Sequence, residues 1–490
     1  MTAFARLLCI VVVAVGISAM AQPPDSLWSR TYGGNVDEEC DAIVKTLDGG
    51  LLLVGFTTSF GAGSFDVWLE RVDSGGNHIW SHTYGGINVE ACYKAIPLED
   101  GGFILAGHTG SYGAGDFDYW LLKIDSQGSQ LWSRTYGGSS ADRCFDAIRT
   151  SDGGYVMAGL TQSFGAHSSD IWILKVSDTG DSLWSRKFGG TGQDVAIAVT
   201  ESGDGSLLFT GITGSQGEPN GDVILQKLSA SGDSLWAHTF GGNQYDAPWA
   251  IAQTPTGGYA IAGYTNSMGA GASDFYFVVT DESGNELWHR TYGGAMDEWC
   301  YDMIPMSSDG YLLAGRTASF GSGGYDMWAL RIALNGDSLW SKTFGTSAFE
   351  DCRGATVIGG NYYLAGSEDL NGDGFSDILL VKTGFDSTLD TPETVLLPTT
   401  FGLTAYPNPF NGTIQIAYTI DRIGKTELKV YNIVGQEVAT LLSGYGSSLG
   451  THNTTWSAIN SKGAPLASGT YIVELNNAGQ RAVHKVMLVR

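Results

Sequence analysis

Along most of this chain, hydrophobic residues fall in short runs broken by glycine, aspartate and asparagine, and no stretch keeps a helical period. Residues 41–46 (DAIVKT) form a short run, Asp48-Gly49-Gly50 a tight turn, and residues 51–57 (LLLVGFT) a continuous apolar run. A glycine-rich loop at 59–65 leads to a run at 66–72, in which Val67, Leu69 and Arg71 alternate with Trp68, Glu70 and Val72. A turn at 73–77 and a fourth run at 79–84 complete the unit. Four strand signals joined by turn signals predict a four-stranded meander.

The fourth run opens a motif that returns. LWSRTYGG at 27 is followed by IWSHTYGG at 79, LWSRTYGG at 131, LWSRKFGG at 183, LWAHTFGG at 235, LWHRTYGG at 287 and LWSKTFGT at 339, each 52 residues after the last. Seven such units predict an all-β fold, a seven-bladed β-propeller over residues 22–383. The chain enters on a fourth-strand sequence, 27–32, and leaves the seventh copy after its third strand, 378–383. Residues 27–32 are therefore expected to supply the outer strand of the last blade and remove an open edge. One tryptophan per copy, from Trp28 to Trp340, reads as packing between blades rather than as a ligand cage. The short turns share one face and the longer loops the other, so any binding surface is expected among the longer loops. Phe60, Tyr245, Trp249, Trp299, Tyr301 and Phe320 stand near them, suited to stacking on sugars or to packing between blades.

Three polar positions recur in all seven copies: a basic one (from Arg30 to Lys342), an acidic one (from Glu38 to Glu350) and an aspartate (from Asp66 to Asp377). They read as braces, the basic residue pairing with an acid of its own or the next blade and the aspartate capping the loop before the third strand. The alternative is a ring of carboxylates at a channel mouth. The net charge of −25 speaks against nucleic-acid partners. Residues 1–21 have the form of a secretory signal peptide, with Arg6, an apolar run at 7–17 and Ala19-Met20-Ala21 before Gln22. No later stretch is long and apolar enough to cross a membrane. Cys40, Cys92, Cys144, Cys300 and Cys352 share one repeat position, which predicts a small buried site rather than a disulfide framework.

The seventh copy departs from the others with Asp369, Asn371, Asp373, Phe375 and Asp377 in the pattern D-x-N-x-D-G-x-x-D. Four oxygen side chains and the Phe375 carbonyl suit calcium in a stabilising role. The loop resembles those of integrin-type propeller blades and of dockerin and EF-hand-like sites, without the distal glutamate of a full EF-hand. Enzyme signals are weak. There is no HExxH, CxxC or P-loop, and Gly446-Ser447-Ser448-Leu449-Gly450 matches G-x-S-x-G only inside a glycine- and serine-rich turn.

Residues 384–400 read as a linker, and residues 401–490 as short alternating strands of a small Ig-like β-sandwich. This part contains Tyr406-Pro407-Asn408-Pro409-Phe410-Asn411, then LKVYNIVGQEV from Leu428, then Ser468-Gly469-Thr470-Tyr471, then Lys485-Val486-Met487-Leu488. In these motifs and their order it resembles the type A sorting domain of the type IX secretion system. The resemblance makes Pro407, Asn408, Pro409, Gly469, Tyr471 and Lys485 the sorting motif and the secretion machinery a partner. It implies a Bacteroidetes-like source, passage through the periplasm and across the outer membrane, and removal of the domain, with the cargo released or attached to the cell surface. The repeats resemble the W-x-x-x-Y/F-G-G and D-G-G arrays often joined to such domains. The expected function is a non-catalytic binding or adhesion module for an extracellular glycan or protein. The alternatives are a polysaccharide-degrading propeller enzyme and a structural surface-layer component.

Overall fold

The computed structural model describes residues 23–386 and 402–489, apart from 166–167, 218–219, 307–309, 370–371, 373, 407, 421–423, 447–449, 461–463 and 478–479. Residues 1–21 and most of 384–400 lie outside the described residues. Among the described residues every regular element is a β-strand, and no helix is long and apolar enough to cross a membrane. The chain divides into two compact units at Thr388 and Leu389.

The first unit is a ring of seven blades. Blade 1 runs Glu38–Lys45, Leu51–Thr57, Asp66–Val72 and His78–Tyr84 as an antiparallel meander. Blades 2 to 6 repeat it, opening at Glu90, Asp142, Asp194, Asp246 and Glu298. In blade 7, Ser26–Tyr32 pairs with Asp377–Phe385, which pairs with Asn361–Asp369. Its innermost position is filled by two short pieces, Phe349–Glu350 and Gly354–Ile358.

First strands of successive blades pack against one another around the axis. Second and third strands are buried on both faces because a neighbouring blade covers each side, so their sequences are almost wholly apolar. The expected alternation at 66–72 is thus not an inside–outside pattern: all seven residues are buried. Fourth strands form the rim and are mostly exposed. Backbone bonds join the blades: the Glu90 N–H donates to the Phe65 carbonyl (2.9 Å), and at the ring seam the Glu38 N–H donates to Ser376 (2.7 Å). Among the described residues the five cysteines are free and buried, four on first strands and Cys352 between the two short pieces of blade 7.

The second unit has two antiparallel sheets. Gly402–Tyr406, Ile414–Ile420 and Gly450–Trp456 make one. Glu437–Gly446, Gly424–Asn432, Gly469–Asn477 and Gln480–Leu488 make the other. Ile416, Leu428, Val430, Trp456, Val473 and Val486 are among the buried residues of its core.

Candidate functional site

The recurring polar positions build blades. Glu90 is fully buried and accepts from the Gly86 N–H (2.7 Å), the Ser111 N–H (3.0 Å) and the Thr109 hydroxyl (2.9 Å). Asp118 accepts from the Ala114 and Gly115 N–H groups of its own loop (2.8 and 3.0 Å). Where the basic position meets an acid, it is a turn acid of the next blade: Arg290 with Asp337 (3.1 Å), Arg186 with Asp233 (3.4 Å). His82 and His238 reach turn carbonyls of the next blade instead. The acids of the channel-mouth alternative are therefore consumed by their own loops.

Other positions do not repeat. At Glu39 and its equivalents the copies carry Glu, Ala, Arg, Val, Ala, Trp and Asp; at Asp41, which falls at a register shift in the first strand, they carry Asp, Tyr, Phe, Ile, Trp, Tyr and Arg. At Phe56 they carry Phe, His, Leu, Ile, Tyr, Arg and Glu. These side chains meet one another across blades. Trp249 lies edge-on to Tyr301 (5.2 Å), and Tyr93 lies against Phe145 (5.5 Å). Tyr245 contacts Tyr264 (6.2 Å), Tyr264 stacks on Trp299 (4.8 Å, 8°), and Trp299 reaches Tyr301 (6.3 Å). All four aromatic residues expected at a ligand surface thus fall in one run of rings, joined through Tyr264. Phe60 and Phe320 do not join it; they pack on Trp68 and Trp328 of their own blades (5.7 and 5.5 Å).

Arginines complete the cluster. The Arg316 guanidinium lies 4.2 Å from the Trp299 ring and 4.4 Å from Tyr325. Arg353 lies over Tyr301 (5.2 Å) and pairs with Asp351 (3.0 Å), Asp41 (3.4 Å) and Glu39 (3.4 Å). Burial pushes the Asp41 carboxyl up to about 7; Arg353 opposes this, while Glu39 and Asp351 add to it. Burial and the nearby Arg143 bring His108 down to about 4. The indole nitrogens of Trp249 and Trp299 and the Arg316 Nε are buried without a hydrogen-bond partner. One position further on, Lys94 meets Asp146 (3.4 Å), and Asp146 and Asp302 accept the Val199 and Ala355 N–H groups of the following blades (2.9 Å each). Tyr264, Arg316, Arg353, Arg143 and Asp41 were not singled out from sequence; aligning the seven copies column by column exposes them, because these columns vary while the rest repeat.

Away from the axis, a cavity of about 600 Å³ is lined by Thr31, Tyr32, Trp68, Glu70 and His78 among others. Its buried Glu70 is engaged by the His78 Nδ1 (2.6 Å).

Among the described residues, no group of three or more His, Cys, Asp or Glu is placed to hold a metal. Of the expected calcium loop, Asn371 and Asp373 lie outside the described residues. Asp369 accepts from the Gly372 and Gly374 N–H groups (2.8 and 3.1 Å), Phe375 is exposed, and the Asp377 carboxylate lies against Gly33 at the blade position of the recurring aspartate.

In the second unit, Asn408 fastens the chain to the last strand, donating to the Lys485 carbonyl (2.7 Å) and accepting from the Met487 N–H (2.9 Å). Tyr471 is buried against Trp456 (5.6 Å), and its hydroxyl donates to the Ala467 carbonyl (2.8 Å). Gly469 opens the strand that pairs with the last one, while Pro409 and the Lys485 side chain are exposed. Pro407 lies outside the described residues.

The chain is thus a β-propeller followed by a smaller two-sheet β-domain. Residues 404–489 match the family described as the secretion system C-terminal sorting domain, so the chain carries the tail of the type IX secretion system, which directs it to the cell surface or extracellular space. A curated relative, the regulatory protein FlaEY of Caulobacter vibrioides, is 25% identical over 227 residues, 39% of this chain and 24% of that protein. The chain thus spans about a quarter of that relative's length. Among solved structures, PorZ, a surface component of the type IX secretion system of Porphyromonas gingivalis, is 12% identical with a TM-score of 0.41, covering 94% of this chain and 60% of its own. The polysaccharide lyase Uly1 is 10% identical with a TM-score of 0.43, covering 72% and 92%.

Proposed function

We propose that the propeller is a non-catalytic adhesion module of the cell surface or extracellular space, and that its ligand, a glycan or a protein, docks on the axial cluster. The supporting observation is that seven near-identical blades differ from one another where Trp249, Tyr264, Trp299, Tyr301 and Arg316 gather, with two indole N–H groups unpartnered. Blade construction does not require such rings, and aromatic faces beside polar donors recognise saccharides. A glycan array probed with the wild type and Trp249→Ala tests this. Retention of selected glycans by the wild type and their loss in the variant is expected. Hydrolysis of a polysaccharide in place of simple retention overturns it.

That outcome would favour an extracellular polysaccharide-degrading enzyme, a reading supported by the Asp41 carboxyl near neutrality beside Glu39 and Asp351. Export begins with removal of residues 1–21, so N-terminal sequencing of the exported protein should start at Gln22. Calcium, held by Asp369, Asn371, Asp373, the Phe375 carbonyl and Asp377, stiffens the blade 7 loop. The oxygen-rich composition supports this, as do the turns Asp369 already makes with Gly372 and Gly374. Against it stands the position of Asp377 beside Gly33. Asp373→Ala should lower the melting temperature in calcium and leave it unchanged in chelator; equal loss in both removes the ion from the account.

A further inference from the structure

Two arginines of the axial cluster form no ion pair among the described residues. Arg316 of blade 6 is stacked between Trp299 and Tyr325, and Arg143 of blade 3 lies 4.3 Å from the Phe117 ring. Among the described residues neither makes an ion pair, and the Nε of each is buried without a hydrogen-bond partner. In a chain of net charge −25, with 51 acidic side chains, two half-buried guanidiniums without a carboxylate are unexpected. The acids within reach are already engaged, since Glu39, Asp41 and Asp351 all converge on Arg353. Burying a cation without a counter-charge is costly. A guanidinium lying on an aromatic face keeps its in-plane N–H groups for a carboxylate or sulfate.

Resting on the reading of the axial cluster as a ligand site, we infer that its ligand is an acidic saccharide, with a sugar face on Trp249 and anionic groups held by Arg316 and Arg143. A neutral sugar would leave both guanidiniums unpaired, and a cationic one would meet them with like charge. The tendency of Asp41 to stay protonated near neutrality lessens the repulsion an anion would meet there. Nucleic acid is a poor alternative, because the charge of the whole chain repels a long polyanion.

The test uses calorimetric titration of the full exported chain with four probes: an oligogalacturonide, the same oligomer with its carboxylates reduced to alcohols, a sulfated galactan oligomer, and single-stranded DNA of matching charge. At least one acidic saccharide is expected to bind, and about tenfold or more tighter than its uncharged counterpart, as charge-assisted hydrogen bonds imply. Arg316→Gln should weaken binding of the acidic saccharide and so narrow that difference. Should Arg316→Gln fail to fold, as judged by its melting curve, Arg143→Gln in another blade carries the same expectation. Equal or weaker binding of the acidic forms overturns the inference and leaves glycan binding standing. No binding of any saccharide overturns both. DNA binding as tightly as the acidic saccharides overturns the inference in favour of unspecific anion capture.

Discussion

Asp41 ties the axial cluster to pH. Its carboxyl is raised from the ordinary aspartate range to about 7, chiefly by burial. The folded chain therefore holds this proton more tightly than the unfolded one. The contribution of Asp41 to stability is full below about pH 4, declines as pH rises toward 7, and is lost above it, the Arg353 pair offsetting only part of the cost of the buried charge. Asp41→Asn should raise the melting temperature at pH 8, change it little at pH 4 and below, and flatten the profile between; thermal melts across that range check this. Sequence reading reached Tyr245, Trp249, Trp299 and Tyr301 because residue type and nearness to a loop are local properties. It did not reach Tyr264, Arg316, Arg353 or Arg143. These stand on first and second strands or at a break in a strand, at positions in each copy that face one another only once seven blades surround an axis.

Each blade is locked by its fourth strand to the third-to-fourth turn of the next. Tyr292 donates to the Gly336 carbonyl (2.6 Å), as Tyr136 does to Gly180 (2.6 Å), while Trp28, Trp132, Trp184, Trp236 and Trp288 each lie on a turn glycine. Gly284 has φ +82°, and a Cβ there would sit 2.6 Å from the Trp236 ring. Gly284→Ala should therefore cost several kcal/mol, on the order of ~3, through combined strain and overlap. Tyr292→Phe, which removes one hydrogen bond, should cost about 1 kcal/mol. Chemical denaturation of both variants checks the order. The motif and its spacing made the blades legible because a fixed period repeats the same local signals. The strand Gly402–Tyr406 was not anticipated: its five residues precede Pro407 and alternate too briefly to stand out. The burial of both faces of the third strand was hidden because one copy alone does not reveal its neighbours.

At the scale of the molecule, the tail sets the destination. A chain shortened to end at residue 400 should accumulate in the periplasm while its propeller still melts cooperatively; fractionation and calorimetry together check this. A second truncation, beginning at residue 34, would strip Ser26–Tyr32 from Asp377–Phe385 and expose that edge. A lower melting temperature and concentration-dependent association are expected, visible by light scattering. The same seam bears on timing. The rim strand of the last blade is among the first segments synthesised, and the strand it joins emerges some 350 residues later, just before the tail. Until then the ring of blades lacks the partner that closes it. Only a chain translated to its final blade can shut the ring, and only such a chain goes on to acquire a tail. Premature products, lacking both, carry no passport for the outer surface.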